Sequence, residues 1–326
     1  MNTFGRIFRI NIFGESHGAS IGVVIDGCNC GIDLQQEDFM EDLSRRKAGA
    51  EGTTPRKEND LPQIISGVYN GKTTGSPIAI LFENKNTNSK DYDILKDTPR
   101  PGHADFTAFE KYKGFNDPRG GGHFSGRLTL ALVAAGVIAK KIIPNIKIEA
   151  KLISVGGSTD IEKTVKKAIA ENDSIGGLIH CTVSNLPIGL GDPFFDSVES
   201  LISHLVFAIP AIKGIEFGSG FDAASMKGSN HNDLIITTNG ITKTNYAGGI
   251  NGGITNGNNL EFKVAVKPTS SIAKEQQTIN LSSGKIETLA IKGRHDACIA
   301  LRMPVIIEAA IAIVLADLLI INKNIG

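Results

Sequence analysis

The 326 residues are 41% hydrophobic and 21% charged, and include 37 glycines and four cysteines, the make-up of a folded enzyme long enough to bury a core without disulfides or metals. The 34 basic and 34 acidic residues cancel to a formal net charge of +0, so no global field draws the chain to nucleic acid or to an anionic membrane, and any anion it binds must be held by a local cluster. Cys28, Cys30, Cys181 and Cys298 are too scattered for a disulfide framework or a zinc site; they read as reduced thiols of a cytoplasmic protein with no metal centre.

Residues 1–6 lack the apolar run of a signal peptide. In chain order, runs rich in β-branched residues place strands at 8–13 and 21–25, and an amphipathic run places a helix at 36–46 with Asp33 as its cap. Strands follow at 64–68 and 77–82, then a helix at 128–142, a strand at 146–155, a helix at 161–172, a strand at 177–183 and a helix at 197–208. Strands at 234–237 and 260–266 precede a last helix at 304–321. Residues 305–321 form the most apolar stretch, about 17 residues at the lower limit for a membrane span. It contains Glu308 and Asp317 and reads as a buried helix. Strands and helices mix without regular alternation, so the expected class is α+β in a layered β-α-β arrangement rather than a doubly wound sheet. No linker divides the chain, which reads as one domain over 1–326.

Between these elements lie long glycine-rich, polar segments at 47–58, 84–107, 113–126, 217–233 and 245–259. Long unstructured stretches that carry specific charged side chains mark a shared site. Five histidines lie in polar or glycine-rich loops (His17, His103, His123, His231, His295), whereas His180 and His204 fall in a strand and a helix and read as structural. Loop histidines suit acid–base chemistry near neutral pH. Arg45, Arg46, Arg56, Arg100, Arg119, Arg127, Arg294 and Arg302 cluster in the same regions, and their planar forks suit phosphate and carboxylate oxygens. A ligand with one phosphate and two carboxylates would satisfy them. The stretch 67–73 has three residues between its glycines where a phosphate-binding P-loop needs four, and a strand rather than a helix follows it. No dinucleotide fingerprint is present either. The small and glycine residues of 245–257 and 267–272 offer backbone N–H groups to a ring or phosphate, or simply form a turn-rich hairpin.

Taken together, 13–18 (FGESHG), 45–47 (RRK), 53–58 (TTPRKE), 71–75 (GKTTG), 89–92 (SKDY), 100–105 (RPGHAD), 117–127, 245–257, 267–272 (KPTSSI) and 293–298 (GRHDAC) resemble the chorismate synthase family over nearly the whole chain. The resemblance implies a β-α-β sandwich assembled as a homotetramer. It implies an anti-1,4-elimination of phosphate from 5-enolpyruvylshikimate-3-phosphate, with reduced FMN as the required cofactor. By the same resemblance His17 stands beside the flavin, His103 protonates the departing phosphate, and Asp296 assists proton transfer to the flavin with Ser16 and Ser125 in support. Flavin contacts are implied for His123, Phe124, Ser125, Pro210, Ala211, Gly252, Lys267, Pro268, Thr269, Ser270, Ser271 and Arg294, and substrate contacts for Arg46, Arg119, Arg127 and Arg302. Two departures stand out. His123 and Phe124 replace an arginine and a serine of the commoner pattern, and Glu51 stands near the position where some members carry a second arginine for NADPH. The flavin is therefore reduced either by the protein itself with NADPH or by a separate flavin reductase. The rival readings are a small-molecule kinase, for which the chain lacks a P-loop, and a nonenzymatic flavin-binding oligomeric protein, which would not need His17, His103 and Asp296.

Overall fold

The computed structural model describes residues 2–47, 49, 51–54, 59–86, 95, 97–291 and 295–325. The N-terminal half supplies β1 (Thr3–Phe4), β2 (Arg9–Gly14), β3 (Ser20–Asp26), β4 (Gln63–Ser66) and β5 (Ile78–Glu83). They form an antiparallel sheet in the order β1-β2-β3-β5-β4. The second half supplies β6 (Lys147–Val155), β7 (Gly177–Ser184), β8 (Ile212–Phe217) and β9 (Leu260–Val266), an antiparallel sheet in the order β8-β9-β7-β6. Alternation drives these strands. In β9, Leu260, Phe262, Val264 and Val266 are buried while the residues between them are half-buried.

Helices α1 (Met40–Arg46), α2 (Asp105–Tyr112), α3 (Thr129–Ile142), α4 (Ile161–Ala170), α5 (Val198–Ala208) and α6 (Met303–Ile325) complete the frame. α3 and α6 lie between the sheets, α3 packing on β3 and α6 on β6. This is the expected β-α-β layering. The two central helices approach closely because Gly136 has no side chain: a methyl group there would stand 2.4 Å from Ala309 Cβ. A helix covered on every side has no polar face to keep, so α3 is buried without interruption from Thr129 to Ala139. The helical stretch 299–323 is long and apolar enough to cross a membrane, but 78% of its most apolar window is already buried by the protein.

The two acids of α6 are its ties to the layers on either side. Asp317 accepts the backbone N–H groups of Arg6, Ile7 and Phe8, each at 2.8 Å, at the entry to β2. Glu308 accepts a bidentate pair from Arg45 of α1 at 2.7 Å and the N–H of Ala150 in β6 at 3.2 Å. Replacing Asp317 by alanine strands one buried donor, Phe8 N–H, at a cost of about 1–3 kcal/mol, and two partly buried ones that water can serve in part. The urea midpoint is expected to fall by the equivalent of about 3 kcal/mol, and by less in Asp317→Asn, which keeps one acceptor oxygen.

Some expectations need correction. Residues 234–237 are not a strand; Ile235 makes a single bridge to Thr242, and Leu234, Ile235 and Ile236 are exposed with no sheet to join. The strand β8 escaped the sequence reading because Gly214 and a register shift break its alternation. Helix α2 escaped because its aromatic residues Phe106, Phe109 and Tyr112 are exposed, leaving no buried stripe to read. Asp33 caps nothing and pairs with Lys72 instead; the 3-10 turn before α1 is held by Asp38, which accepts the N–H of Gln35 at 2.7 Å.

Candidate active site

A cavity of about 1280 Å³ opens where the segments after β2, α1, α5 and β9 meet those before α3 and α6. Among the described residues, seven lysine and arginine side chains line it (Arg46, Lys47, Arg100, Arg127, Lys213, Lys267 and Arg302) against two carboxylates, Asp60 and Asp296. A chain with no net charge thus gathers a strongly cationic pocket, the local cluster that anion binding demands. Phe4, Ile10, Ile12, Leu205, Phe207 and Ile209 give the same cavity an apolar wall.

Three consecutive glycines bring the two histidine loops together. Gly120, Gly121 and Gly122 have φ of +60°, +80° and +53°, the left-handed region where a side chain is strained. They are also crowded. A methyl group on Gly120 would stand 2.5 Å from His17 Cδ2 and 2.9 Å from Ser16 Oγ; one on Gly121 would stand 3.4 Å from His103 Nε2. The N–H of Ser16 donates to Gly122 O at 3.1 Å and fixes the turn on the loop after β2. Two imidazoles more than 80 positions apart in sequence therefore face adjacent peptides of one turn. Ser16, His103 and Ser125 line the cavity, while buried His17 sits behind Gly120 at its edge.

His103 is tightly held. Its Nδ1 lies 2.6 Å from Asp105 Oδ1, and Asp105 is clamped by Arg100 through Nε and Nη2, both at 2.7 Å. Arg100 Nη1 donates to Ser271 Oγ at 2.9 Å, which fastens this turn to residues 267–271. Lys267 Nζ donates to Gly102 O at 2.6 Å and to Ser270 Oγ at 2.9 Å, while its backbone N–H donates to Ala211 O at 2.8 Å. The segments 210–211 and 267–271 are thereby neighbours. Burial, with Lys213 nearby, holds the Lys267 ammonium below the ordinary lysine range.

The arginines form a second group. Arg46, only 4% exposed, donates to Thr129 Oγ1 at 2.9 Å and to the carbonyls of Gly126 and Arg127. Burial and the charge of Arg302 push it down to about 9 against the pull of Asp60. Arg127 donates to Asp60 Oδ1 at 2.5 Å and to Asn84 Oδ1 at 3.0 Å. Arg302 donates to Asp296 Oδ2 at 2.6 Å, and Asp296 Oδ1 accepts the N–H of Thr54 at 2.9 Å. Arg127 Nη2 and Arg302 Nε are buried with no hydrogen-bond partner among the described residues. Buried donors without acceptors are costly. Three guanidinium groups short of negative charge ask for an anionic ligand.

Most of the expected site residues converge here. His123, Phe124, Pro210, Ala211, Lys267, Pro268, Thr269, Ser270 and Ser271 all line the cavity. His123 turns Nδ1 to Gly14 O at 2.8 Å and Nε2 to Asn2 Oδ1 at 3.2 Å, and Phe124 packs on Tyr112. Others do not converge. Arg119 is absent from the lining; its guanidinium is committed to Asp117 at 2.8 and 2.9 Å. Gly252 lies by the first turn of α5, where Gly253 O accepts the N–H of Val198. Pro210 and Ala211 follow the other end of that 11-residue helix, a separation of about 16 Å. His231 pairs with Ser219 Oγ at 3.1 Å, away from the cavity, whereas His204, expected to be structural, lines it. Arg294 lies outside the described residues. Asp60 and Asp105 were missed. No sequence pattern marks Asp60, whose only signal was the excess of arginines in need of counterions, whereas Asp105 closes the RPGHAD stretch at 100–105 without being singled out for a role. Among the described residues no cluster of histidine, cysteine or acidic side chains suits a metal ion.

Residues 8–320 match the family model described as chorismate synthase. The chain is 65% identical over 325 residues to a chorismate synthase of Chitinophaga pinensis, covering 99% of this chain and 98% of the relative. It is 41% identical over 365 residues to one of Methanocaldococcus jannaschii, covering 98% and 96%. A crystal structure of a chorismate synthase superposes with a TM-score of 0.75 at 26% identity, over 98% of this chain and 93% of that one, so the layered fold is shared.

Proposed function

The chain belongs to the chorismate synthase family, and from that premise we propose that it converts 5-enolpyruvylshikimate-3-phosphate to chorismate and phosphate by anti-1,4-elimination with reduced FMN. The observation that carries this reading is the meeting of His17 and His103 across the Gly120–Gly121 turn, at the edge of a cavity with surplus positive charge.

The cavity suits two ligands at once. Its volume of about 1280 Å³ exceeds the roughly 300–1,000 Å³ of a pocket for one small ligand, and it joins an apolar wall to a cationic one. His123, Phe124, Ser125, Pro210, Ala211 and residues 267–271 would hold the flavin, with Lys213 and Lys267 close by for its phosphate. When bound, the reduced flavin supplies electron density to help the allylic phosphate leave. Arg46, Arg127 and Arg302 hold the substrate's phosphate and carboxylates, and the unpaired Arg127 Nη2 and Arg302 Nε are the donors that gain acceptors. His103 carries a proton at Nε2 for the departing phosphate. His17, buried behind Gly120 with Asp117 near it, carries positive charge beside the cofactor. Asp296, held by Arg302 and the N–H of Thr54, takes part in moving the ring proton, with Ser16 and Ser125 in support.

The whole chain acts as one domain of a cytoplasmic homotetramer. Phe115, Phe194, Phe195 and Phe221 are all more than 80% exposed, and apolar surface of this kind is what subunit contacts cover. The test is to mix the protein anaerobically with substrate and chemically reduced FMN and follow both products. Chorismate and phosphate are expected in equal amounts, and neither with oxidised FMN. Flavin binding without either product would instead favour a nonenzymatic flavin carrier. Adding NADPH to oxidised FMN in parallel distinguishes a protein that reduces its own flavin from one served by a separate reductase.

A further inference from the structure

We propose that Asp105 is the positioning residue of His103: clamped by Arg100, its carboxylate accepts a hydrogen bond from the imidazole Nδ1–H and reserves Nε2 for the substrate. The inference rests on the reading above, in which His103 gives a proton to the departing phosphate.

Among the described residues His103 Nδ1 has two polar neighbours, Asp105 Oδ1 at 2.6 Å and Arg100 Nη2 at 3.0 Å. Guanidinium nitrogen only donates and an ionised carboxylate only accepts, so the charge of Asp105 decides the tautomer. Burial works against its ionisation, but the hydrogen bonds from Arg100 and His103 outweigh burial and hold the carboxyl well below its usual range. Asp105 is thus an anion throughout the working pH. A lone pair on Nδ1 would face that anion at hydrogen-bond distance, so Nδ1 carries the proton, and Arg100 Nη2 spends its own on Asp105 Oδ1 at 2.7 Å. The clamp is rigid. Asp105 Oδ2 also accepts the backbone N–H of Arg100 at 3.1 Å, and Arg100 is anchored on Ser271. Nε2 is left beside Gly121, at the cavity.

The same arrangement supports the charged ring. With a proton on Nε2, the imidazolium keeps its Nδ1–H on Asp105, while Arg100 and Lys267 are the cations that face it. As the allylic C–O bond breaks, its electron pair leaves with the phosphate, and Nε2 passes its proton to a phosphate oxygen. The proton lost from the substrate's ring carbon balances the one taken up, and Nδ1–H stays in place throughout. The resting tautomer is restored without rotation of the ring.

Asp105→Asn tests this. The amide donates to Nδ1 and drives the ring proton onto Nε2, the wrong tautomer. Assayed with reduced FMN, kcat is expected to fall by at least about 100-fold with KM within about threefold, as for loss of a group that orients a catalytic imidazole. In a His103→Ala background the same change is expected to add nothing, because Asp105 acts only through the ring. Nitrogen NMR of protein labelled at histidine, with the His103 signal assigned by its loss in His103→Gln, should report Nδ1–H in the native protein and Nε2–H in Asp105→Asn. An Nε2–H tautomer in the native protein overturns the proposal, as does a further loss on adding Asp105→Asn to His103→Ala. If the native protein made no chorismate, the proposed reaction would fail while the NMR still read the tautomer. If Asp105→Asn did not fold, the native tautomer alone would decide.

Discussion

Gly120→Ala is expected to lower kcat by about 100-fold or more while the chain still folds. The added methyl would lie 2.5 Å from His17 Cδ2, 2.6 Å from His17 Nε2 and 2.9 Å from Ser16 Oγ, where carbon contacts relax to about 3.5–4.0 Å. Both neighbours are buried, Ser16 at 2% exposure and His17 at 9%, so the ring must shift by about 1 Å against packed surroundings. Displacement of that size costs on the order of 100-fold in rate. The backbone adds strain of about 1–2 kcal/mol, since φ is +60°. A control separates the two effects. Gly284 has φ of +67° with nothing within 4 Å of its missing side chain, so Gly284→Ala bears similar strain and is expected to lose stability without losing turnover. Anaerobic chorismate formation and thermal melting of the two variants make the comparison. Equal turnover in both would mean that the placement of His17 against the glycine turn has no part in the reaction.

What the chain displayed in sequence, and what it hid, follows from how local each cause is. The strand β9 and the core helix α6 were legible because burial writes itself into consecutive residues, by alternation in one and by unbroken apolarity in the other. Even the two acids of α6 gave a correct lead, since a helix that keeps Glu308 and Asp317 must satisfy them within the protein. The surplus of arginines in loops pointed to an anion, and the cavity holds that surplus. Their counterions were not legible. Asp60 reaches Arg127 across 67 positions, and nothing in Asn59-Asp60-Leu61 marks it. Arg119 shows the opposite situation: its place among glycines suggested a ligand, and in the chain alone its guanidinium is held by Asp117 two residues away. A short-range partner wins because it costs little entropy to bring together. Gly252 lies apart from Pro210 and Ala211 within the chain, separated from them by the length of α5, a distance that sequence order does not supply.

His103→Ala is expected to cut kcat by about 10²–10⁴-fold, the usual range for removal of a proton-transfer group, and to remove one limb of the pH profile. The sign follows from the surroundings of the ring. Burial lowers the His103 pKa from its ordinary 6.5 more than anything else does; Asp105 pulls it up, while Arg100 and Lys267 push it down. In the free protein the ring is therefore protonated only at acidic pH. If the imidazolium is the acid, kcat/KM falls as pH rises through a value below 6.5. The bound substrate changes this, because its phosphate, with a second ionisation near 6, places negative charge beside Nε2 and favours the protonated ring. The corresponding limb in kcat is expected at higher pH than the limb in kcat/KM. In His103→Ala the limb in kcat should vanish, leaving in kcat/KM only the ionisation of the substrate itself. A native kcat limb at or below that of kcat/KM, or one that survived in the variant, would assign the proton to another group. Asp296 would be the next to test, since it lines the same cavity and is held in place by Arg302.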